Sequence, residues 1–390
     1  RTLTESSTGS LLNLSGSAVV YVSAAAEDIP PVLELYAENP VTPTAPSATG
    51  TNAVAIGSGA DASAVDGIAI GKDSDAIGSF RSIGIGRLAQ ATGISSIAFG
   101  YSAFCSSTEG NAIGNRAQVS VGANATAIAK SYASGTDSFA AAIANNSSSY
   151  GATGAGSIAI GRLCKATGQD SVAIGTAGLS SGLESIVLGD SDASGNWSIA
   201  IGDGTSASNS AAVAIGQGCQ ADALRSFALG FRTDVNGITG KYAWSGASIS
   251  GSNDGSSQEG RMVLTIATTD ATPTTLTTFL TTPSATNQVI LPNNSAYSFS
   301  GTIVARQQAS AGSEYASWEI KGALLRDGTA ATTVLGNGIK NKLFASAGAS
   351  AWDVTLTADT TNGGLAITAT GAAATNIRWV ATVNTSEVTY

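Results

Sequence analysis

From Asn52 to Phe231 large apolar and small residues alternate in one recurring phrase: NAVAIG, DGIAIG, RSIGIG, SSIAFG, GSIAIG, DSVAIG, ESIVLG, WSIAIG, AAVAIG and RSFALG. Aligned on the last residue, the repeats fall at Gly57, Gly71, Gly86, Gly100, Gly114, Ala129, Ala144, Gly161, Gly175, Gly189, Gly202, Gly216 and Gly230. The steps are 14, 15, 14, 14, 15, 15, 17, 14, 14, 13, 14 and 14 residues. A period this short predicts a solenoid, one coil per repeat, each stacked on copies of itself. Taking the aligned residue as zero, position −1 is large and apolar throughout, as at Ile56, Phe99, Ile174 and Leu229, and −3 is so in most repeats. Residues two apart share one face of a strand, so −1 and −3 are expected to fill the coil interior. Position −2 is alanine in eleven of the thirteen repeats, Gly84 and Val187 excepted, and −4 is always Ala, Gly or Ser. That uniformly small face is expected to lie against another copy of the chain, because a solvated face tolerates larger polar residues. A second short strand carries small residues at +3 and +5, with Asp61, Gln90, Arg116, Gln118 and Lys165 among the polar residues at +2 and +4.

The flanking segments have other patterns. Residues 1–29 include LLNLSGSAVVYVSAAA, of strand composition, and read as a segment that attaches the chain to a larger assembly or caps the first coil. Residues 30–50 hold five of the eight prolines and read as an extended connector. The coils occupy 51–235. Within them Ala129 and Ala144 replace the glycine, Asn111 and Thr126 sit at −3, and the 17-residue step predicts a distorted turn and protruding loop over 145–156. From 236 to 390 the glycine period is lost. Alternating strands are predicted at 261–268, 284–291, 296–307, 315–326, 351–358, 364–370 and 376–384, separated by turn residues such as Asp327-Gly328. They read as an antiparallel β-sandwich, jelly-roll-like, with Trp318 and Trp379 in its core and Trp244 covering the last coil. The fold class is therefore all-β: a parallel β-roll of about 13 coils followed by a sandwich.

Composition narrows the chemistry. Charged residues are 12% of the chain, the net charge is −9 and no basic run occurs, which argues against nucleic-acid binding. The absence of histidine removes imidazole catalysis and His-ligated metal. No apolar run reaches the ~18 residues of a membrane helix, and no secretory signal is found. The chain opens on Arg1 rather than Met, so its first residues are expected to be trimmed or missing. Cys105, Cys164 and Cys219 replace small residues at +3 and +5, and are expected to be buried free thiols. Asp190, Asp192 and Asp203 lie near glycine turns, but the calcium-binding roll uses a nine-residue period, so they read as solvated turn residues. The N-x-S/T triplet Asn196-Trp197-Ser198 is expected by chance in so Ser-rich a chain. The sequence assigns no catalytic, cofactor-binding or metal site, no cofactor and no enzyme activity.

The S-V-A-I-G phrase at roughly 14-residue spacing, as in Ser171–Gly175, with S-I-A-I-G at Ser198–Gly202, resembles the head repeats of trimeric autotransporter adhesins of the YadA type. The resemblance covers about residues 52–231. It implies a left-handed parallel β-roll, three chains side by side and a binding role, and it supplies no catalytic residues. Thirteen coils at ~4.8 Å would stand about 60 Å tall. The region after Phe231 departs from that family, where a coiled-coil stalk and a membrane barrel are expected, and points instead to a phage tail fibre. The expected protein is a homotrimeric virion rod. Its N-terminal segment would dock on other tail proteins, and its C-terminal knob would bind a host cell-surface glycan or receptor without membrane insertion. The alternatives are the head of a bacterial surface adhesin at the cell surface, a glycan-cleaving tailspike and a purely structural virion component.

Overall fold

The computed structural model describes residues 12–14, 18–20, 33–35, 42, 44–142, 149–249, 254–279, 281–308 and 314–390. Most of the predicted attachment segment, and residues 145–148 of the predicted loop, lie outside these. The chain divides into two compact units, Arg1–Glu184 and Ser185–Tyr390.

The first unit is a parallel solenoid. Nine three-residue strands, from Val54–Ile56 to Val172–Ile174, pair in register, each with the equivalent strand of the next coil. Two-residue strands such as Asp61–Ala62 and Lys165–Ala166 form the second ladder. Within residues 30–50, Leu33–Leu35 pairs in parallel with Val54–Ile56, and Ser47–Ala48 with Asp61–Ala62, so the coil pattern begins before the first repeat phrase.

The facing is the reverse of that expected. Ala159, Ala173 and their equivalents at −2, Ser157 and Ser171 at −4, and Cys164 and Ala166 at +3 and +5 are fully buried. The Ile, Val and Phe side chains at −1 and −3 point outward and stay half-exposed or exposed. A coil of about 14 residues folds its two strands so closely that four small side chains fill the space between them. Branched residues are therefore turned out. Apart from Ser82, whose hydroxyl has no partner among the described residues, the buried serines at −4 keep their hydroxyls satisfied. Ser96, Ser157 and Ser171 donate to the carbonyls of Gly93, Gly154 and Gly168 at 2.8, 2.7 and 2.8 Å.

The corners demand unusual backbone. Residues at −5, including Asp66, Glu109 and Asp170, have φ of 55°, 57° and 54°, held in the left-handed region by pairing on either side. At position zero Gly71 has φ +127°, and a Cβ there would lie 2.7 Å from the carbonyl carbon of Gly86 in the next coil. Only glycine permits that approach. Where it is lost, the corner changes. Ala129 and Ala142 have φ of 60° and 55°, and Phe139–Ala141 pairs with Thr126–Ile128. The zero residue is therefore Ala142, not Ala144, and the steps around it are 13 and 19 residues.

The second unit opens with five more parallel coil strands: Ile186–Ala193, Ile199–Ala207, Val213–Gln217, Phe227–Phe231 and β1 (Tyr242–Ser245). After them come β2 (Ser257–Thr268), β3 (Thr274–Thr275), β4 (Val289–Ile290), β5 (Ser295–Gln307), β6 (Tyr315–Arg326), β7 (Val334–Ala345), β8 (Asp353–Asp359), β9 (Gly364–Thr370) and β10 (Ile377–Thr389). β1 is a coil that the repeat phrase did not reveal. Leu229 pairs with Trp244 and Gly230 with Ser245, so Trp244 occupies position −1 of the last coil instead of covering it. Pairing then turns antiparallel, in the order β1-β2-β10-β5-β6-β7. β3, β4, β8 and β9 form a second sheet around β9. The two layers enclose Leu264, Ile303, Ile320, Leu365 and Ile367 with Trp318, Trp352 and Trp379. The Trp318 and Trp379 rings stack at 5.5 Å.

Candidate interaction surfaces

The outward facing of −1 and −3 puts a ridge of large apolar side chains on the surface of each unit. In the first unit Ile83, Ile97 and Asn111 lie in register, as do Ile85, Phe99, Ile113 and Ile128. Phe99 is 51% exposed and Ile113 39%. In the second unit Leu188, Ile201, Ile215, Leu229 and Trp244 continue the same position. An ordered apolar surface of this length marks an interaction site. One polar step interrupts it in the first unit, where Asn111 Nδ2 donates to Thr126 Oγ1 at 3.5 Å. Beside that step Tyr101, Ile113, Arg116, Ile128 and Lys130 line an open groove of about 690 Å³.

A second feature lies inside the second unit. Lys241 occupies −4, where other coils carry Ser, Ala or Gly, and its ammonium is fully buried 2.7 Å from Glu387 Oε2. Gln258 Nε2 donates to the same oxygen at 2.7 Å, and Thr385 Oγ1 donates to Glu387 Oε1 at 2.6 Å. Gly260 leaves the room these groups occupy, since a Cβ there would strike Glu387 Oε1. Gln258 also accepts from the Asp234 N–H at 2.9 Å. Lys241 lies 5.8 Å from the Tyr297 ring centroid. Burial first, and then the Glu387 carboxylate, push the Tyr297 phenol well above its ordinary pKa. The set ties the last coil to the C-terminal strand, 146 residues away in sequence.

The residues singled out by sequence fall as follows. Cys105, Cys164 and Cys219 are buried thiols, and none is in a disulfide. Burial pushes the Cys105 and Cys219 thiols up, away from reactive thiolate. Asp190 and Asp203 are neighbours in register on adjacent coils, while Asp192 pairs with Ser206. Gln217 Nε2 donates to Asp203 Oδ2 at 3.2 Å. Burial raises the Asp192 carboxyl. Among the described residues no three Asp, Glu, Cys or His side chains converge. Trp318 and Trp379 are core residues, as expected. The Lys241–Glu387 pair was missed, although a lysine in a column of Ser, Ala and Gly was its visible signal.

Four stretches of the chain, residues 48–74, 80–103, 152–177 and 193–218, match the YadA head domain repeat. No curated protein matches the chain. The chain thus contains YadA-type head repeats folded as a parallel β-roll.

Proposed function

We propose that this protein is an adhesive fibre that works as a homotrimer. In this reading the coils are its rod, and the C-terminal sandwich contacts a cell-surface glycan. The observation that carries the reading is the exposed apolar ridge at −1 and −3, which needs covering and which three parallel copies would bury around a common axis. Three copies of the sandwich held in one assembly would bind repetitive glycans with avidity even from weak single sites. The tryptophan-cored sandwich after the coils favours a phage tail fibre over the head of a bacterial surface adhesin, which is the second reading. In either setting the protein acts by binding rather than catalysis.

Two measurements test this. The full chain is expected to sediment as a trimer, and a monomer would end the reading. Labelled full-length protein is expected to adhere to target bacteria. A chain cut after residue 256 and carrying Lys241→Ser, the residue common in that column, is expected to stay folded and lose adherence. Retained adherence would move binding to the coils. Loss of polysaccharide viscosity on incubation would replace binding with cleavage.

A further inference from the structure

The two margins of the ridge in the first unit carry opposite charge. At −5, on the corner before the long strand, stand Asp66, Glu109, Asp137, Asp170 and Glu184, all exposed, with Arg81 the single cation in that column. On the corner after the repeat residue, at +1 and +2, stand Lys72, Arg87, Arg116, Lys130 and Arg162, all exposed, with Asp73 the single acid among the described residues. Because coils pair in register, both sets form columns parallel to the ridge. A three-residue strand with a corner at each end separates −5 from +1, and no ion pair joins the two margins among the described residues. The margins therefore do not neutralise each other within one chain. The acids find only amides. Asn52 donates to Asp66 at 3.1 Å, Asn124 to Asp137 at 2.9 Å and Gln169 to Asp170 at 3.1 Å. None of the five is in an ion pair among the described residues.

We infer that these margins set the orientation of the assembly: they join copies of the chain in parallel and reject antiparallel pairing. The inference rests on the trimeric reading and adds how copies recognise one another. Around an axis along the roll, the acidic margin of each copy meets the basic margin of the next. Asp66 then faces a neighbour's Lys72, and Glu109 a neighbour's Arg116. Turning one copy end over end sets acid against acid and base against base, while leaving the apolar ridges just as able to touch. The ridge supplies attraction without direction, and the margins supply direction. That division is how specificity is usually built, with a repulsive element against the wrong partner.

Charge reversal in the full chain tests it. One variant carries Asp66, Glu109, Asp137, Asp170 and Glu184 all as Lys, a second carries Lys72, Arg87, Arg116, Lys130 and Arg162 all as Glu, and a third carries both sets. Arg81 and Arg225 show that the −5 corner accepts a long cation, with φ of 51° and 56°. Each single set is expected to weaken the trimer at least roughly tenfold at low salt and to recover as salt screens the margins. The third variant, with margins exchanged, is expected to regain wild-type assembly. Orientation is read separately by oxidation. Asp66→Cys with Lys72→Cys should give covalent trimers, whereas Asp66→Cys alone should give no cross-link. Covalent dimers from the single cysteine variant, or wild-type trimers indifferent to both reversals, would overturn the inference and leave the trimer standing. A monomeric wild type would overturn both.

Discussion

In the coil around residue 160, Ser157, Ala159, Cys164 and Ala166 are fully buried, while Ile158 is 36% exposed. In the sandwich the order is inverted. Trp318, Trp352 and Trp379 are at most 1% exposed, and an alanine such as Ala323 faces solvent. The difference is one of spacing. Two sheets of a sandwich stand ~10 Å apart and need large side chains to fill the gap. The two strands of one coil close on a loop of about 14 residues, and the space between them is filled by Ala, Ser and Cys with an occasional Val, as at Val119 and Val187. A coil thus gains less from apolar volume, and relies on backbone pairing in register and on whatever covers its ridge.

Four tests would break or sharpen that contrast. The largest effect is expected from Ala173→Glu, which forces a charge into the closed interior. Loss of at least ~4 kcal/mol, seen as an unfolded first unit by circular dichroism and proteolysis, is expected. A variant that folds and merely fails to assemble would restore the original facing. Next, Lys241→Met leaves Glu387 buried without its counter-charge and should cost about 3–5 kcal/mol in urea unfolding, with Glu387→Leu added alongside recovering most of it. Additive losses in that cycle would deny the coupling. Third, Trp379→Ala and Ile113→Ala remove large groups from inside and outside. The first is expected to cost the fold about 3–5 kcal/mol. The second should leave monomer stability within ~1 kcal/mol while loosening the oligomer, and a fold cost equal to that of Trp379 would place Ile113 in the core.

The smallest effect concerns Asp234. Its carboxyl is pushed up to about 6, chiefly by burial, with Asp222 and Asp254 adding to the shift while the Asn236 N–H and Lys241 oppose it. The folded pKa stands above the unfolded value near 3.9, so the folded state holds this proton more tightly. This contribution to stability therefore rises as pH falls from about 6 towards 4, and is absent at pH 7. Asp234→Asn should stabilise the second unit at pH 7 by about 1–2 kcal/mol, after allowance for its partial exposure, and flatten that interval. Parallel pH profiles for mutant and wild type would refute the assignment.

Much of this fold is written in local pattern. The period gave the coils, the small-residue slots gave the three buried thiols, and alternation placed β5, β6 and β9 nearly to the residue. Facing was not legible, because −1/−3 and −2/−4 are equally regular and the rule that large apolar residues go inside fails where the interior is one alanine thick. The register at Ala142 was lost with the glycine that marked it. β7 escaped notice because VLGNGIKNKLFA is almost wholly exposed and shows no alternation. The last coil, with Lys241, Tyr242, Trp244 and Ser245 in place of the usual residues, hid behind its own adaptations to the sandwich. Of the candidate surfaces, the ridge was visible as a pattern but assigned to the wrong side.

Like stacks on like in the first unit, Ile83 on Ile97 and Ala159 on Ala173, whereas the tolerant outer position sets Lys165 beside Leu179. A gene encoding such a unit has an adjustable ruler. Duplicating or excising 14 codons adds or removes one storey without changing any stripe that the neighbours see. Removing residues 87–100, which joins Gly86 to Tyr101, should leave a folded roll one coil shorter, and a collapse in thermal stability would show that individual coils are not interchangeable. The length of the roll can then be tuned by unequal recombination alone.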